Sequence, residues 1–247
     1  MLSLLKKEIN GFFGSITGYV VITVFLLITG LFLWFFPGEM NIPENGYANI
    51  DGLFIIAPWV FLFLVPAVSM RMIAEEKKTG TIELLLTRPL TDFQIIFSKY
   101  LASIILIAIA LLPTLIFYIS VYILGSPKGN IDSGAVLGSY LGLFFLASIY
   151  ASIGLFASAL TDNQVVAFLI AVLLSFIIYT GFDYLANIFE VSVFNTVILD
   201  LGINEHYKSI SRGIIDSRDI VYFFSVSFLF LILTGFVVRK QINGLSK

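Results

Sequence analysis

The sequence predicts an all-α integral membrane protein: six transmembrane helices, an N-terminal interfacial amphipathic helix, and short outer helices between helices 5 and 6. Three observations carry this. Of 247 residues, 59% are apolar and only 12% charged, with a mean hydropathy of +1.01, whereas a soluble domain has about 25% charged residues to clothe its water-facing surface. Six apolar runs, at about 16–36, 52–70, 101–124, 135–160, 165–182 and 220–238, reach or approach the roughly 20 residues that cross a ~30 Å hydrocarbon core as a helix. None of them contains Lys, Arg, Asp or Glu, each of which would cost about 2.5–3.5 kcal/mol near a helix centre.

Residues 2–13 come first. Leu2, Leu5, Ile9, Phe12 and Phe13 share one helical face while Lys6, Lys7 and Asn10 lie elsewhere, the pattern of a helix lying in the membrane interface. Gly11 and Gly14 favour a bend before the first span. That span closes on Trp34, Phe35 and Phe36, as an aromatic belt would. The run is too long for a signal-peptide core, and Phe35-Phe36-Pro37-Gly38 offers no small-residue cleavage site. Pro58 and Pro66 in the second span and Pro113 in the third predict kinks.

The segment between the second and third spans, 71–99, is the longest loop that the charge pattern puts inside. Gly80 can interrupt a helix leaving the membrane. Thr81 can cap a new one with Glu83 in its first turn, where the dipole favours an acid, and Pro89 stops it. This sets a short helix at 82–88 that holds Leu84, Leu85 and Leu86 outside the bilayer, where an apolar surface calls for a partner. Thr91 and Gln94 then form a capping box, with Leu90 and Ile95 as its hydrophobic staple. In the fourth span, Gly138/Gly142, Ala147/Ala151 and Gly154/Ser158 are small residues four apart, which permit close helix packing. The turn after it, Leu160-Thr161-Asp162-x-Gln164, repeats Leu90-Thr91-Asp92-x-Gln94, the same capping solution at the start of a span. Asp183 is expected just past the fifth span as an interfacial anchor or cap. Within the outer segment 183–219, the apolar stretch 191–201 is too short to cross and reads as re-entrant or interfacial helix.

Lys and Arg set the orientation. With the N-terminus inside, Lys6, Lys7, Arg71, Lys77, Lys78, Arg88, Lys99, Arg239, Lys240 and Lys247 fall inside, and Lys128, Lys208, Arg212 and Arg218 fall outside. Ten against four favours both termini in the cytoplasm.

Composition also removes several function classes. There is no cysteine, so no disulfide, thiolate metal site or thiol nucleophile, and the single His206 builds no multi-histidine site. No phosphate-cradling G-x-x-x-x-G-K-[ST] occurs. The one adjacent acidic pair, Glu75-Glu76, is no acid–base dyad, because neighbours on a helix do not face each other. No charge lies mid-span to carry protons. Neither a cofactor nor a nucleic-acid partner is indicated.

The stretch Ala74-Glu75-Glu76-Lys77-Lys78-x-Gly80-Thr81-Ile82-Glu83-Leu84-Leu85-Leu86-Thr87-x-Pro89-Leu90-Thr91 resembles the signature of ABC-2-type transporter permeases. The likeness extends to the N-terminal helix, the six spans and the enlarged last outer loop, and implies a single ABC-2-type transmembrane domain over 1–247. Within the family the sequence looks most like permeases of bacterial gliding-motility ABC transporters, through Phe12-Phe13-Gly14-Ser15 with Gly18-Tyr19, and Leu31-Phe32-Leu33-Trp34-Phe35 followed by Ala57-Pro58-Trp59. The permeases of nitrous-oxide-reductase maturation are similar by the same loop. The resemblance implies a non-catalytic subunit of a bacterial inner membrane transporter, paired with a second permease copy or a related membrane subunit. It also implies an ABC ATPase subunit docked from the cytoplasm. The coupling residues would then be Glu75, Glu76, Gly80, Thr81, Ile82, Glu83, Leu84, Leu85, Arg88 and Pro89, with Thr161, Asp162 and Gln164 as a second, smaller contact. The substrate is not implied. A non-transporting membrane assembly factor would share these features; a membrane-embedded enzyme would need a polar catalytic cluster that the sequence lacks.

Overall fold

The computed structural model describes the backbone of residues 1–81, 91–188, 192–213 and 216–245. Its helices are α1 (Leu2–Phe13), α2 (Ile16–Trp34), α3 (Ile42–Asn45), α4 (Asp51–Ser69), α5 (Arg71–Lys78), α6 (Asp92–Leu111), α7 (Leu115–Leu124), α8 (Ser133–Leu160), α9 (Gln164–Ile188), α10 (Ser192–Asp200), α11 (Ile203–Ser211) and α12 (Ser217–Leu245). Among the described residues six helical stretches are long and apolar enough to cross a membrane: α2, α4 with α5, α6 with α7, α8, α9 and α12. Ile16, Val20, Val24 and Leu27 on α2, and Val221, Phe224, Phe228 and Phe236 on α12, are exposed. Water would penalise such stripes; lipid tails do not.

The bundle is built around α8. Its most apolar stretch is 78% buried, against 22% for α2 and α12, and it packs on α4, α6, α9, α11 and α12. Small residues make this possible. A Cβ on Gly154 would stand 1.8 Å from Ser69 Oγ, one on Gly142 would meet Ile210, and one on Gly138 would lie 2.9 Å from Gly213 Cα. Gly213 itself has φ +81°, a left-handed conformation that suits glycine. The small-residue spacing on this helix therefore serves packing.

The prolines act differently from one another. Helix α4 runs through Pro58 and Pro66, and its break falls at Met70, between α4 and α5. Pro58 has no N–H for the carbonyl of Phe54, four residues back. Tyr207 of α11 supplies the missing donor, its hydroxyl lying 2.6 Å from that oxygen. Pro113 converts one turn to a 3₁₀ helix, Leu112–Thr114, between α6 and α7.

Two boundaries differ from those of the apolar runs. The third span begins at Asp92, where the sequence expects the Thr91–Gln94 capping box to start it, nine residues ahead of the apolar run itself. The fifth continues to Ile188, so Asp183 lies inside α9 rather than past its end. Helices α10 and α11 fill the connection to α12, and Val197 and Leu201 are exposed there.

The ends of the bundle form two distinct faces. Contacts gather α1, α5, the start of α6 and the α8–α9 turn on one face, and Arg239 of α12 reaches Asp92 there at 3.4 Å. The opposite face holds α3, the 125–132 turn, α10 and α11.

Candidate functional site

The face that carries α1 holds the loop singled out in the sequence, and a buried charge network fixes the base of that loop. Lys99, on the second turn of α6, is 1% exposed. Its ammonium has three protons to donate and finds three acceptors: Glu8 Oε1 at 2.7 Å, Glu76 Oε2 at 2.8 Å and the carbonyl of Met72 at 2.6 Å. The other oxygen of Glu76 accepts from Lys7 at 2.9 Å. Two lysines and two glutamates from α1, α5 and α6 thus neutralise one another. Burial pulls Lys7 down, but its bond to Glu76 and the nearby charges of Glu8 and Glu75 more than offset this and hold it above the ordinary lysine value.

The network orients α1. Leu4, Glu8 and Phe12 recur every fourth residue, and of these Leu4 and Phe12 are buried, while Leu2 is 81% exposed. Of the face that hydropathy selects, Phe12 is buried and Ile9 and Phe13 pack against the core, whereas Leu2 does not; the inward stripe is rotated to include Leu4 and Glu8, the latter drawn in by Lys99. Arg71 completes the attachment, donating to Ser15 Oγ at 3.0 Å and lying 5.1 Å from the centre of the Phe12 ring.

Ser158 secures the α4–α5 break. Its hydroxyl oxygen accepts from the amides of Ile73 and Ala74 at 3.0 and 2.9 Å, and donates to the Met70 carbonyl at 2.8 Å. A side chain of α8 thus replaces backbone partners that a continuous helix would have provided. Lys77 adds a second tie by donating to the carbonyl of Ala159, and the charge of Asp162 acts on it.

The expected site residues fall into three groups. Glu76 is buried in the charge network, whereas Glu75 is exposed and contributes its backbone carbonyl to Thr79. Gly80 ends the α5 extension with φ +71°, and Thr81 Oγ1 lies 2.9 Å from Thr79 Oγ1. Ile82, Glu83, Leu84, Leu85, Arg88 and Pro89, together with Leu90 of the expected staple, lie outside the described residues. Thr91 and Gln94 make the capping box, with Gln94 N donating to Thr91 Oγ1 at 3.3 Å and Thr91 N donating to Gln94 Oε1 at 3.1 Å.

The 160–164 turn does not repeat that solution. Asn163 Oδ1 accepts from Val165 N at 2.9 Å, and Thr161 Oγ1 accepts from Asn163 N at 3.1 Å. Asn163 is the cap and Gln164 begins the helix. Ser158 and Lys77 hold this turn against α5, so the structure brings the two inner connections together at α5.

Sequence reasoning missed Glu8, Lys7, Lys99 and Ser158. Lys99 carried a faint signal, as a lysine embedded in the apolar start of a helix with an acid available one segment earlier. Ser158 carried none beyond its small size.

Six lipid-compatible spans, with an N-terminal helix anchored by charge at one end of the bundle, define a polytopic membrane protein. Residues 42–198 match the family model described as ABC-2 family transporter protein, and the chain belongs to that family. Its members are membrane components of transporters, generally without catalysis of their own. Among curated proteins, none matches the chain.

Proposed function

We propose that this chain is the transmembrane permease subunit of an ABC transporter of the bacterial inner membrane. A separate ATPase subunit hydrolyses ATP, and the permease converts its movement to export or mechanical work. The whole chain, 1–247, acts as one ABC-2-type domain, beside a second permease copy or a related membrane subunit. Resemblance at 12–19, 31–35 and 57–59 supports the gliding-motility type in particular. Ten of the Lys and Arg residues lie on the side of the N-terminus, which supports cytoplasmic termini.

The observation that carries the reading is the charge network at the base of the loop. A solvated linker has no need of a buried Lys99 at one end and a buried Glu76 at the other. Anchors of this kind suit a loop that bears load. In this reading Ile82, Glu83, Leu84, Leu85 and Arg88 seat in a groove of the ATPase, Gly80, Thr81 and Pro89 delimit them, Glu75 and Glu76 brace them, and Thr161, Asp162 and Gln164 form the smaller contact.

Copurification tests it. The permease is expressed with its ATPase and captured at matched levels. Leu85→Asp places an unpaired charge in an apolar contact, at a cost of about 2–5 kcal/mol, and each 1.4 kcal/mol is about tenfold in affinity. The ATPase is therefore lost while the permease still inserts. Glu83→Ala removes only a first-turn dipole interaction worth about 0.3–1 kcal/mol and retains most of it. Full retention by Leu85→Asp overturns the coupling assignment.

A further inference from the structure

The face opposite α1 has a cleft of about 790 Å³ between the first turns of α4, the last turns of α9, and α11. Its walls carry both signs of charge: Asp51 and Asp183 against Lys208 and Arg212. Aromatic rings complete it, with Trp59 and Tyr179 set edge to face at 5.7 Å. Tyr179 and Asp183 are one turn apart on α9 and share a face.

Asp183 is unevenly used. Its Oδ2 accepts from Asn204 Nδ2 and stands 3.9 Å from Lys208 Nζ. Its Oδ1 is buried with no hydrogen-bond partner. That oxygen is turned toward Gly202 and away from the cleft, so the part of the carboxylate open to a ligand is the Oδ2 side, a quarter of the side chain being exposed. Trp59 has a second role, because it also walls a groove of about 620 Å³ along α2 and α4. That groove is lined by apolar side chains such as Val24, Phe25, Ile28 and Phe63.

The geometry points to a binding site for a phospholipid with a zwitterionic headgroup, held with its ammonium at Asp183, its phosphate at Lys208 and Arg212, and an acyl chain along the groove past Trp59. Each part follows from chemistry on the walls. The aromatic corner and the partly exposed carboxylate of Asp183 suit an ammonium. Lys208 and Arg212 suit a phosphate. The apolar groove that shares Trp59 with the cleft offers room for a hydrocarbon tail, which a free phosphoester lacks. Balanced charge argues against an anionic lipid, whose head would bring no cation to the two carboxylates, Asp51 and Asp183, on the walls. The site needs no ATPase and is independent of the coupling role proposed above.

Trp59 supplies the readout. The chain has two tryptophans, so Trp34→Phe leaves Trp59 as the only one. The purified variant is titrated in detergent with phosphatidylethanolamine or phosphatidylglycerol carrying brominated acyl chains, which quench a tryptophan they touch. Phosphatidylethanolamine should quench saturably, at about tenfold lower mole fraction than phosphatidylglycerol, the ratio expected for one charge-assisted hydrogen bond. Asp183→Asn should abolish that preference. Arg212→Gln, at the rim, should weaken both lipids and checks the site should the first variant misfold. Soluble phosphoethanolamine should compete only weakly. Equal quenching by both lipids, unchanged in Asp183→Asn and Arg212→Gln, overturns the proposal and marks ordinary boundary lipid. Full competition by phosphoethanolamine overturns the lipid as the source of the headgroup. Protection of Trp59 from both lipids in a self-associated protein overturns it in favour of a second copy of the chain.

Discussion

Lys99 and Glu8 meet at 2.7 Å although 91 positions separate them in sequence. The lysine is buried on α6, and the glutamate comes from a helix that precedes every span. This pair fastens α1 to the bundle.

Replacing Lys99 should therefore be severe. Lys99→Met leaves Glu8 and Glu76 without their shared cation, and breaking a buried pair from one side costs about 3–5 kcal/mol. Unfolding in mixed detergent, followed by circular dichroism, should show a loss of that size. The triple variant with Glu8→Gln and Glu76→Gln should recover much of it, because the stranded charges are gone. A loss that stays unchanged in the triple variant would mean that Lys99 acts through packing alone.

Tyr207 and Pro58 should behave as partners. Tyr207→Phe leaves the Phe54 carbonyl without a donor, a penalty of about 1–3 kcal/mol. In a Pro58→Ala background the restored backbone N–H serves that carbonyl, and Tyr207→Phe should cost markedly less. A double-mutant cycle on thermal stability measures the difference; strictly additive effects would break the link.

Gly154 sets the distance between α4 and α8. Gly154→Ala places a methyl group on Ser69, and overpacking of this kind costs about 1–3 kcal/mol. Ser69→Gly in the same chain should restore stability, since the steric conflict is with that side chain. Wild-type stability in Gly154→Ala alone would show that the two helices yield without strain.

The absence of cysteine makes orientation directly measurable. Single cysteines at Lys78 and Lys128 are expected on the cytoplasmic and outer sides. In intact cells, an impermeant maleimide should label Lys128→Cys and spare Lys78→Cys until the membrane is opened. Labelling in the reverse pattern would invert the topology.

Hydropathy and local capping made most of this fold legible in the sequence. Spans were readable because insertion energy accrues residue by residue, and the Thr91–Gln94 box because both partners lie within four residues. The second turn misled because two caps compete there. Position 93 in the first turn is Phe, with no acceptor, while position 163 is Asn, a better cap than the nearby Thr161. Asp183 was misplaced because hydropathy falls away before the helix ends. Lys99 was counted as one more inside charge because its burial depends on an acid 91 residues away, beyond any local pattern.

The three bonds of Ser158 have a mechanical meaning. The backbone stays helical at Met70, but past it the amides of Ile73 and Ala74 bond to Ser158 rather than along their own helix, a local weakness if nothing bridged it. Ser158 splices α5 to α8, the innermost post of the bundle. Residues 79–81 and the 160–164 turn are thereby tied to the same helix, so in the coupling reading proposed above a partner gripping both would apply one force rather than two. Under that reading the force would enter at α8, the most buried of the six spans, before it reached the lipid-facing helices.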